Sequence, residues 1–504
     1  MISAHFPILQ VVIPLMAAPT CVILRKANLV WGVALAAVWI AFGLSISVVY
    51  RVLTEGTISY HIGDWAPPIG IEYRIDTPAA LVLLIVTLIG VAVMTYARPS
   101  VMREIVRDRI YLFYTNFLLC LTGLMGMTVT GDAFNLFVFL EISSLSTYVL
   151  VAMGKDRRAL VAAFRYLILG TIGATFYVIG IGLLYMMTGT LNIVDLATQL
   201  SQVNADGTMV ASSRTVLVAL AFLTVGLSLK LALFPLHLWL PNAYTYAPSV
   251  VTAFLAGTAT KVAVYVMLRI FFTVFGPEGS PISFQGIGPI LELMAIAGMF
   301  AASLVAIFQM DVKRMLAYSS VAQIGYIMLG IALASETGIT AGLVHMFNHA
   351  LIKTALFMAV GCLVWRVGSS HINAFAGMGR EMPLTFAVFV IGGLSLIGVP
   401  LTVGFISKWQ LMLATLEAGQ WPVTLLIAAS SLLAVIYIWR VVEIGYFRSP
   451  PENTGEVTAQ GEAPLMMLFP MALMAALTLY FGIDSGLTMG MATEAAQALV
   501  GGAP

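Results

Sequence analysis

Charge is what this sequence lacks. Of its 504 residues only 9% are Asp, Glu, Lys or Arg, against 60% hydrophobic, whereas a soluble domain carries about 25% charged and about 45–50% apolar residues. So little charge cannot build a water-facing surface, and apolar patches of that extent aggregate. A soluble protein is excluded. The net charge of +1 leaves no footprint for nucleic acid, and no basic run interleaves with aromatics. Cysteine is scarce too. Cys21, Cys120 and Cys362 lie far apart in apolar runs, a spacing that suits neither disulfides nor a metal cluster; they read as buried small hydrophobes. No Gly-rich nucleotide loop follows a strand, so no cofactor is expected. No basic stretch precedes the first apolar run, so that run is expected to be retained rather than cleaved.

What the sequence has is segments of about 20 apolar residues, the length that crosses a bilayer. They fall near 7–24, 29–50, 77–97, 110–130, 132–154, 159–187, 214–236, 248–270, 289–309, 315–334, 338–365, 384–416, 421–447 and 463–482. The expected fold is therefore an all-α polytopic membrane protein of about fourteen spans. The 384–416 segment contains Gly398-Val399-Pro400 and reads as a broken helix. Pro235 and Pro241 interrupt the chain between the seventh and eighth spans.

Lys and Arg orient this array. With the N-terminus outside, the inner connections carry fourteen of them and the outer connections four, Arg51, Arg74, Arg214 and Arg269. Both termini are expected outside by this bias. Residues 51–76 read as a small outer hairpin, 188–213 and 366–383 as interfacial helices or loops, and 449–462 as a polar loop. None has room for a soluble catalytic domain, which disfavours a membrane-bound transferase.

Several charges lie where charge is costly. A charged side chain at the bilayer centre costs at least ~2.5 kcal/mol and usually faces a bundle interior or hydrated cavity. Glu141 lies about nine residues, ~14 Å, into its span, among Phe139, Leu140 and Ile142. Lys230, Lys261, Lys353 and Lys408 also fall inside spans, as do Arg165 and Arg440. Snorkelling explains a lysine near a helix end; groups of both signs at mid-depth point to an ion or charge-relay pathway. On the eleventh span His345, His349 and Lys353 recur at i, i+4 and i+8 beside Asn348, one helix face. Imidazole exchanges protons near neutral pH, and lysine gives up its proton more readily out of water. Metal binding by the two histidines is disfavoured because no Asp, Glu or Cys lies nearby in sequence.

Lys230 and Lys408 are 178 residues apart, each beside a proline break. The same offset carries Glu141 onto Ser319 and Lys261 onto Trp439, next to Arg440. This suggests two five-span units, 110–270 and 289–447, flanked by an N-terminal section 1–109 and a C-terminal section 448–504 with a loop, the last span and a tail. An odd number of spans per unit makes the two inverted, as in transporters with broken helices at mid-plane.

The run Lys230-Leu-Ala-Leu-Phe-Pro-Leu-His237-Leu-Trp-Leu-Pro-Asn-Ala243, continuing through Ala247-Pro-Ser-Val250 to Lys261, resembles a signature of the antiporter-like subunits. These are shared by respiratory complex I, membrane-bound hydrogenases and Mrp-type multisubunit Na⁺/H⁺ antiporters. Asp311-Val-Lys-Arg-Met-Leu-Ala-Tyr-Ser-Ser320 and His345-Met-Phe-Asn-His349-Ala-Leu-Ile-Lys353 are similar to further motifs of that family, and the resemblance spans about 77–447. It implies that Glu141 and Lys230 form a mid-membrane pair that gates proton movement. It also implies that Lys261, His345, His349, Lys353 and Lys408 form a central hydrophilic axis, with His237, Ser319 and Arg440 as accessory candidates. Where the family often has two prolines and a Gly before the last lysine, this chain has Pro400-Leu401 and Ser407. Lys408 disfavours the complex I branch with a glutamate there, and no long C-terminal extension for a lateral helix is seen, so the chain most resembles the D-type branch of the Mrp antiporter subunits. A redox-complex proton-pumping subunit is the alternative. The implied partners are other subunits of such a complex, protons, Na⁺ and the lipid bilayer. The spacing places Lys408 ~12 Å beyond Pro400, towards an outer exit or a neighbouring subunit, and Lys230 nearer the inner entrance.

Overall fold

The structure, a computed structural model, describes residues 2–203, 207–276, 286–449 and 461–501. Thirteen of its helices are long and apolar enough to cross a membrane. They are Phe6–Leu24, Ala27–Glu55, Thr77–Glu104, Arg107–Val129, Ala133–Ala152, Arg158–Thr188, Arg214–Leu231, Ser249–Val274, Gly288–Ile307, Val312–Ala332, Glu336–Val367, Trp421–Phe447 and Leu465–Ile483. The expected twelfth span is made of two fifteen-residue halves, Pro383–Ile397 and Val403–Glu417. With it the array has the fourteen spans that the apolar runs suggest.

Helix starts follow from capping chemistry. The carboxylates of Asp76, Asp132 and Asp311 accept from the backbone amides of Ala79, Asn135 and Arg314, satisfying donors that a helix leaves open at its N-terminus. Between the second and third spans, Ile58–His61 and Glu72–Ile75 pair as an antiparallel hairpin. The 188–213 connection contains a short helix, Ile193–Leu200, and the 366–383 connection contains Ile372–Phe375 and Met378–Glu381. Most of the polar loop expected at 449–462 lies outside the described residues.

The core is carried by the third, eighth, tenth and eleventh spans, whose apolar windows are 83%, 89%, 94% and 83% buried. The outermost helices, such as Phe6–Leu24 and Trp421–Phe447, are only 33% buried and turn Leu, Ile and Trp outward. The tenth and eleventh spans meet at glycines. A Cβ on Gly330 would lie 2.6 Å from the Gly338 carbonyl oxygen and 2.9 Å from the Gly342 amide nitrogen. Without side chains there, the two backbones touch.

Two features depart from the sequence reading. The eighth span is not continuous: Ser249–Gly257 ends at Thr258, whose φ/ψ of −123/−60° is non-helical, and Ala259–Leu268 begins anew. No proline marks that break. The expected tail instead contains a helix, Gly486–Val500, with Thr488, Met491, Ala492, Ala495, Ala496 and Leu499 buried. That stripe recurs every three or four residues and packs on the eleventh and third spans, with the Gln497 amide donating to Glu336 at 2.8 Å.

Candidate functional site

The breaks decide where the charges go. In the seventh span the helix stops at Leu231, Ala232 takes the left-handed conformation at φ 62°, and the chain runs irregularly to the short helix Trp239–Tyr246. Lys230 therefore sits on the last turn. Its Nζ lies 3.8 Å from Glu141 Oε1 of the fifth span and donates to Ser144 Oγ at 2.8 Å. The Lys230 side chain is 8% exposed and that of Glu141 25%, so the pair is anchored inside on the lysine side and open on the carboxylate side. A cavity of about 30 Å³ adjoins Lys230, lined by Ser143, Ser144, Thr147 and Tyr166 and, across it, by Ala259 and Ala263 of the eighth span. It is large enough for one water molecule.

Lys261 follows the break in the eighth span. Its Nζ donates to the Ala256 carbonyl, one of those the break frees, and contacts Thr260 Oγ1 at 3.5 Å. His345 and His349 stack with ring centroids 6.3 Å apart and planes within 5°.

The two histidines differ in their partners. His345 Nε2 lies 2.9 Å from Gln323 Oε1 and Nδ1 lies 2.8 Å from Ser407 Oγ. A carboxamide oxygen only accepts, so Nε2 donates and Nδ1 accepts from the serine hydroxyl. Neither nitrogen is left for a metal. His349 is fully buried and neither of its ring nitrogens has a hydrogen-bond partner. Buried polar groups in this position are commonly bridged by water. Lys353 donates to the Leu316 carbonyl at 2.9 Å and to Ser319 Oγ, and Asn348 donates to the Val403 carbonyl at 2.7 Å.

At the far end, Pro383–Ile397 closes on Gly398 at φ 95°, a conformation that glycine adopts without strain. Lys408 does not point away from this break. Its Nζ donates to the carbonyls of Leu396 at 2.9 Å and Ile397 at 3.0 Å, and to Ser431 Oγ at 3.0 Å, over the Tyr326 ring at 4.8 Å. All three ammonium hydrogens have acceptors. The ~12 Å displacement expected from spacing is therefore corrected: the helix resumes only at Val403, and the four-carbon stem folds back to the break.

Of the accessory candidates, Ser319 joins the axis as an acceptor for Lys353. His237 lies in the irregular stretch of the seventh span, stacked on Phe234 at 5.3 Å and edge-on to Tyr318 at 6.3 Å, with Nδ1 unpartnered. Arg440 stands apart: its guanidinium donates to the carbonyls of Ile307 and Gln309, capping the C-terminus of the ninth span, where a cation is favoured. Sequence reading missed Ser144, Gln323, Tyr326 and Ser431. Gln323 alone carried a signal, an amide in the middle of an apolar run.

This geometry has relatives. Residues 130–436 match the family described as NADH:quinone oxidoreductase/Mrp antiporter, TM. The chain is 43% identical to the N subunit of the NADH-quinone oxidoreductase of Desulforudis audaxviator, covering 89% of this chain and 88% of that one. It is 29% identical to the D subunit of the Na(+)/H(+) antiporter of Bacillus subtilis, covering 98% and 97%. Among solved structures it superimposes on a chain of the Mrp complex from Dietzia sp. DQ12-45-1b with a TM-score of 0.88 at 25% identity, covering 99% and 98%. A chain of the membrane-bound sulfane sulfur reductase, an archaeal respiratory membrane complex, also gives 0.88, at 32% identity and 98% and 97% coverage. With the broken spans, the buried lysines and these matches together, the chain belongs to the NADH:quinone oxidoreductase/Mrp antiporter membrane-subunit family.

Proposed function

We propose that the chain is the proton-translocating, antiporter-like subunit of a multisubunit Na⁺/H⁺ antiporter in a bacterial plasma membrane, with both termini outside. One observation carries the reading: Glu141 and Lys230, 89 residues apart in sequence, lie 3.8 Å apart at the start of the buried series Lys261, His349, His345 and Lys408. When the pair is closed, each charge is compensated. When Glu141 moves away, the Lys230 ammonium loses its counter-charge out of water, and such a charge is costly unless its proton leaves. The cavity between Lys230 and the eighth span gives that proton a next station. At the break in the twelfth span Leu401 is 68% and Trp409 48% exposed, so Lys408 lies close to a surface suited to a neighbouring subunit. End-to-end similarity to the D subunit of an antiporter supports this reading.

The test uses the assembled complex in proteoliposomes. Glu141→Gln and Lys230→Ala each abolish transport while the complex still assembles; a wild-type rate in either variant overturns the reading. The 43% identity to the N subunit of an NADH-quinone oxidoreductase favours a second reading, a proton-pumping subunit of a redox complex. Neighbouring genes for small antiporter subunits support the first reading, and genes for flavin or iron–sulfur subunits the second.

A further inference from the structure

The eighth and twelfth spans each begin with a half-helix that hangs between non-helical links. Ser249–Gly257 has nine residues, ~14 Å. It is entered through Ala247 and Pro248, with ψ of 154° and 145°, and ends at Thr258. Pro383–Ile397 has fifteen residues, ~22 Å. It is entered at Met382, with φ/ψ of −128/64°, and ends at Gly398. Packing and side-chain contacts, rather than continuous helix, therefore fix how each half-helix lies.

Both half-helices hold a relay lysine at the C-terminal end. Lys261 donates to the Ala256 carbonyl, and Lys408 to those of Leu396 at 2.9 Å and Ile397 at 3.0 Å. At the N-terminal end each meets a carboxylate from a distant part of the chain. Glu104, the last residue of the third span, accepts from the Ser249 amide at 2.8 Å and Ser249 Oγ at 3.1 Å, and from Ser100 Oγ at 2.7 Å. Glu462 accepts from the amides of Leu384 at 2.5 Å and Thr385 at 3.3 Å, and from Thr385 Oγ1 at 2.7 Å. These are not ordinary caps. The third, fifth, seventh, tenth and eleventh spans are capped by their own N-cap residues, Asp76, Asp132, Ser213, Asp311 and Ser335. The half-helices begin at Pro248 and Met382, which make no side-chain cap, and the oxygens come from 145 and 78 residues away. Lys313, 4% exposed, grips the first junction from the tenth span by donating to the Ala247 carbonyl at 3.1 Å. Both carboxylates lie at the end of the bundle that the Lys and Arg distribution assigns to the inside.

We propose that Glu104 and Glu462 are positioning residues of the relay: each docks the inner end of a half-helix and, through it, fixes the carbonyls that hold Lys261 and Lys408. A negative charge at the N-terminus and an ammonium at the C-terminus both suit the helix macrodipole. Seven residues, ~10 Å, separate Ser249 from Ala256, and twelve, ~18 Å, separate Leu384 from Leu396. A helix keeps its length and pitch through its own hydrogen bonds, so a shift of the docked end reaches the far end. The carbonyl then leaves the narrow range in which a hydrogen bond is strong, and the lysine loses its setting without being touched. Lys313 is the second hold on the shorter half-helix. Unlike Glu141, neither docking carboxylate passes a proton. This inference rests on the proton-transport reading and deepens it.

The test separates docking from proton carrying. Glutamine still accepts a hydrogen bond from an amide but cannot ionise. Glu104→Gln and Glu462→Gln, in assembled complex in proteoliposomes, are therefore expected to transport within about threefold of the parent. Alanine accepts nothing. Glu104→Ala and Glu462→Ala are expected to fall at least about tenfold, the scale of one hydrogen bond to a charged group. Full transport in the Ala variants overturns the proposal, and so does a loss in the Gln variants as deep as in the Ala ones, since charge rather than docking would then be required. Hydrogen–deuterium exchange of the same complexes reads the half-helices without transport. Glu104→Ala is expected to speed exchange in Ser249–Gly257 and not in Pro383–Ile397, and Glu462→Ala the reverse. Exchange unchanged in both, or raised throughout the bundle, overturns the docking. Where Glu104→Ala does not assemble, Lys313→Met, which removes the second hold, gives the same local reading. Glu141→Gln run alongside keeps the two ideas apart: a wild-type rate there removes the proton-transport reading, whereas lost transport there with unaltered exchange in the Ala variants removes the docking alone.

Discussion

The broken seventh and twelfth spans treat their lysines differently. Lys230 is held by another side chain, the carboxylate of Glu141 at 3.8 Å, and by one serine hydroxyl. Lys408 is held by two backbone carbonyls at the end of a helix and one serine hydroxyl. A carboxylate on a neighbouring span moves when that span moves, and Glu141 is a quarter exposed. Carbonyls at a helix C-terminus, where the macrodipole is negative, are fixed to the backbone. The first lysine is built to change partners, and the second to keep a constant setting while protons pass.

The strongest test of this contrast removes the movable partner. Loss of one member of a buried pair costs about 3–5 kcal/mol, so Glu141→Gln is expected to stop transport outright in assembled complex. Lys408→Arg comes next. It keeps the charge beside the same carbonyls but cannot lose a proton, so proteoliposome transport is expected to cease; normal transport means that only the charge is needed there. His349→Ala removes the ring whose nitrogens lack hydrogen-bond partners. Its expected effect is slower transport, with an altered pH–rate profile in the reconstituted complex; an unaltered profile makes the stripe structural. The smallest effect belongs to Ser431→Ala. One hydrogen bond to a charged group is worth about 1.5–3 kcal/mol, and Lys408 keeps both carbonyls, so transport is expected to fall only modestly. A loss as complete as that of Glu141→Gln would erase the distinction between the two lysines.

The spans were legible because crossing a bilayer is a one-dimensional requirement: an apolar run of sufficient length declares itself. The breaks near Pro235 and Pro400 were legible for the same local reason. The break at Thr258 was not, because no proline marks it and the surrounding run is evenly apolar. The helix Gly486–Val500 was passed over because its Ala, Gly and Met residues are too weakly apolar to read as a span. In the site, Glu141 and the lysines stood out as charges in costly places. Their uncharged partners did not. Ser144 lies 86 residues from Lys230 and Ser407 lies 62 from His345, and nothing local to a serine tells which distant span it will face. Arg440 misled for the opposite reason, since a cation inside a span looks the same in sequence whether it relays a proton or caps a helix.

The glycine contact between the tenth and eleventh spans sets a mechanical tolerance. Gln323 to His345 and Ser319 to Lys353 are both hydrogen bonds across this one interface, and a hydrogen bond weakens steeply beyond its narrow range of lengths. A side chain at Gly330 would have to displace backbone atoms lying 2.6 and 2.9 Å from its Cβ. The two helices would then part like misaligned rails, and both bonds would open together. Defects in proton movement can thus arise at a position that carries no proton, and Gly330 is as much a component of the wire as the residues that titrate.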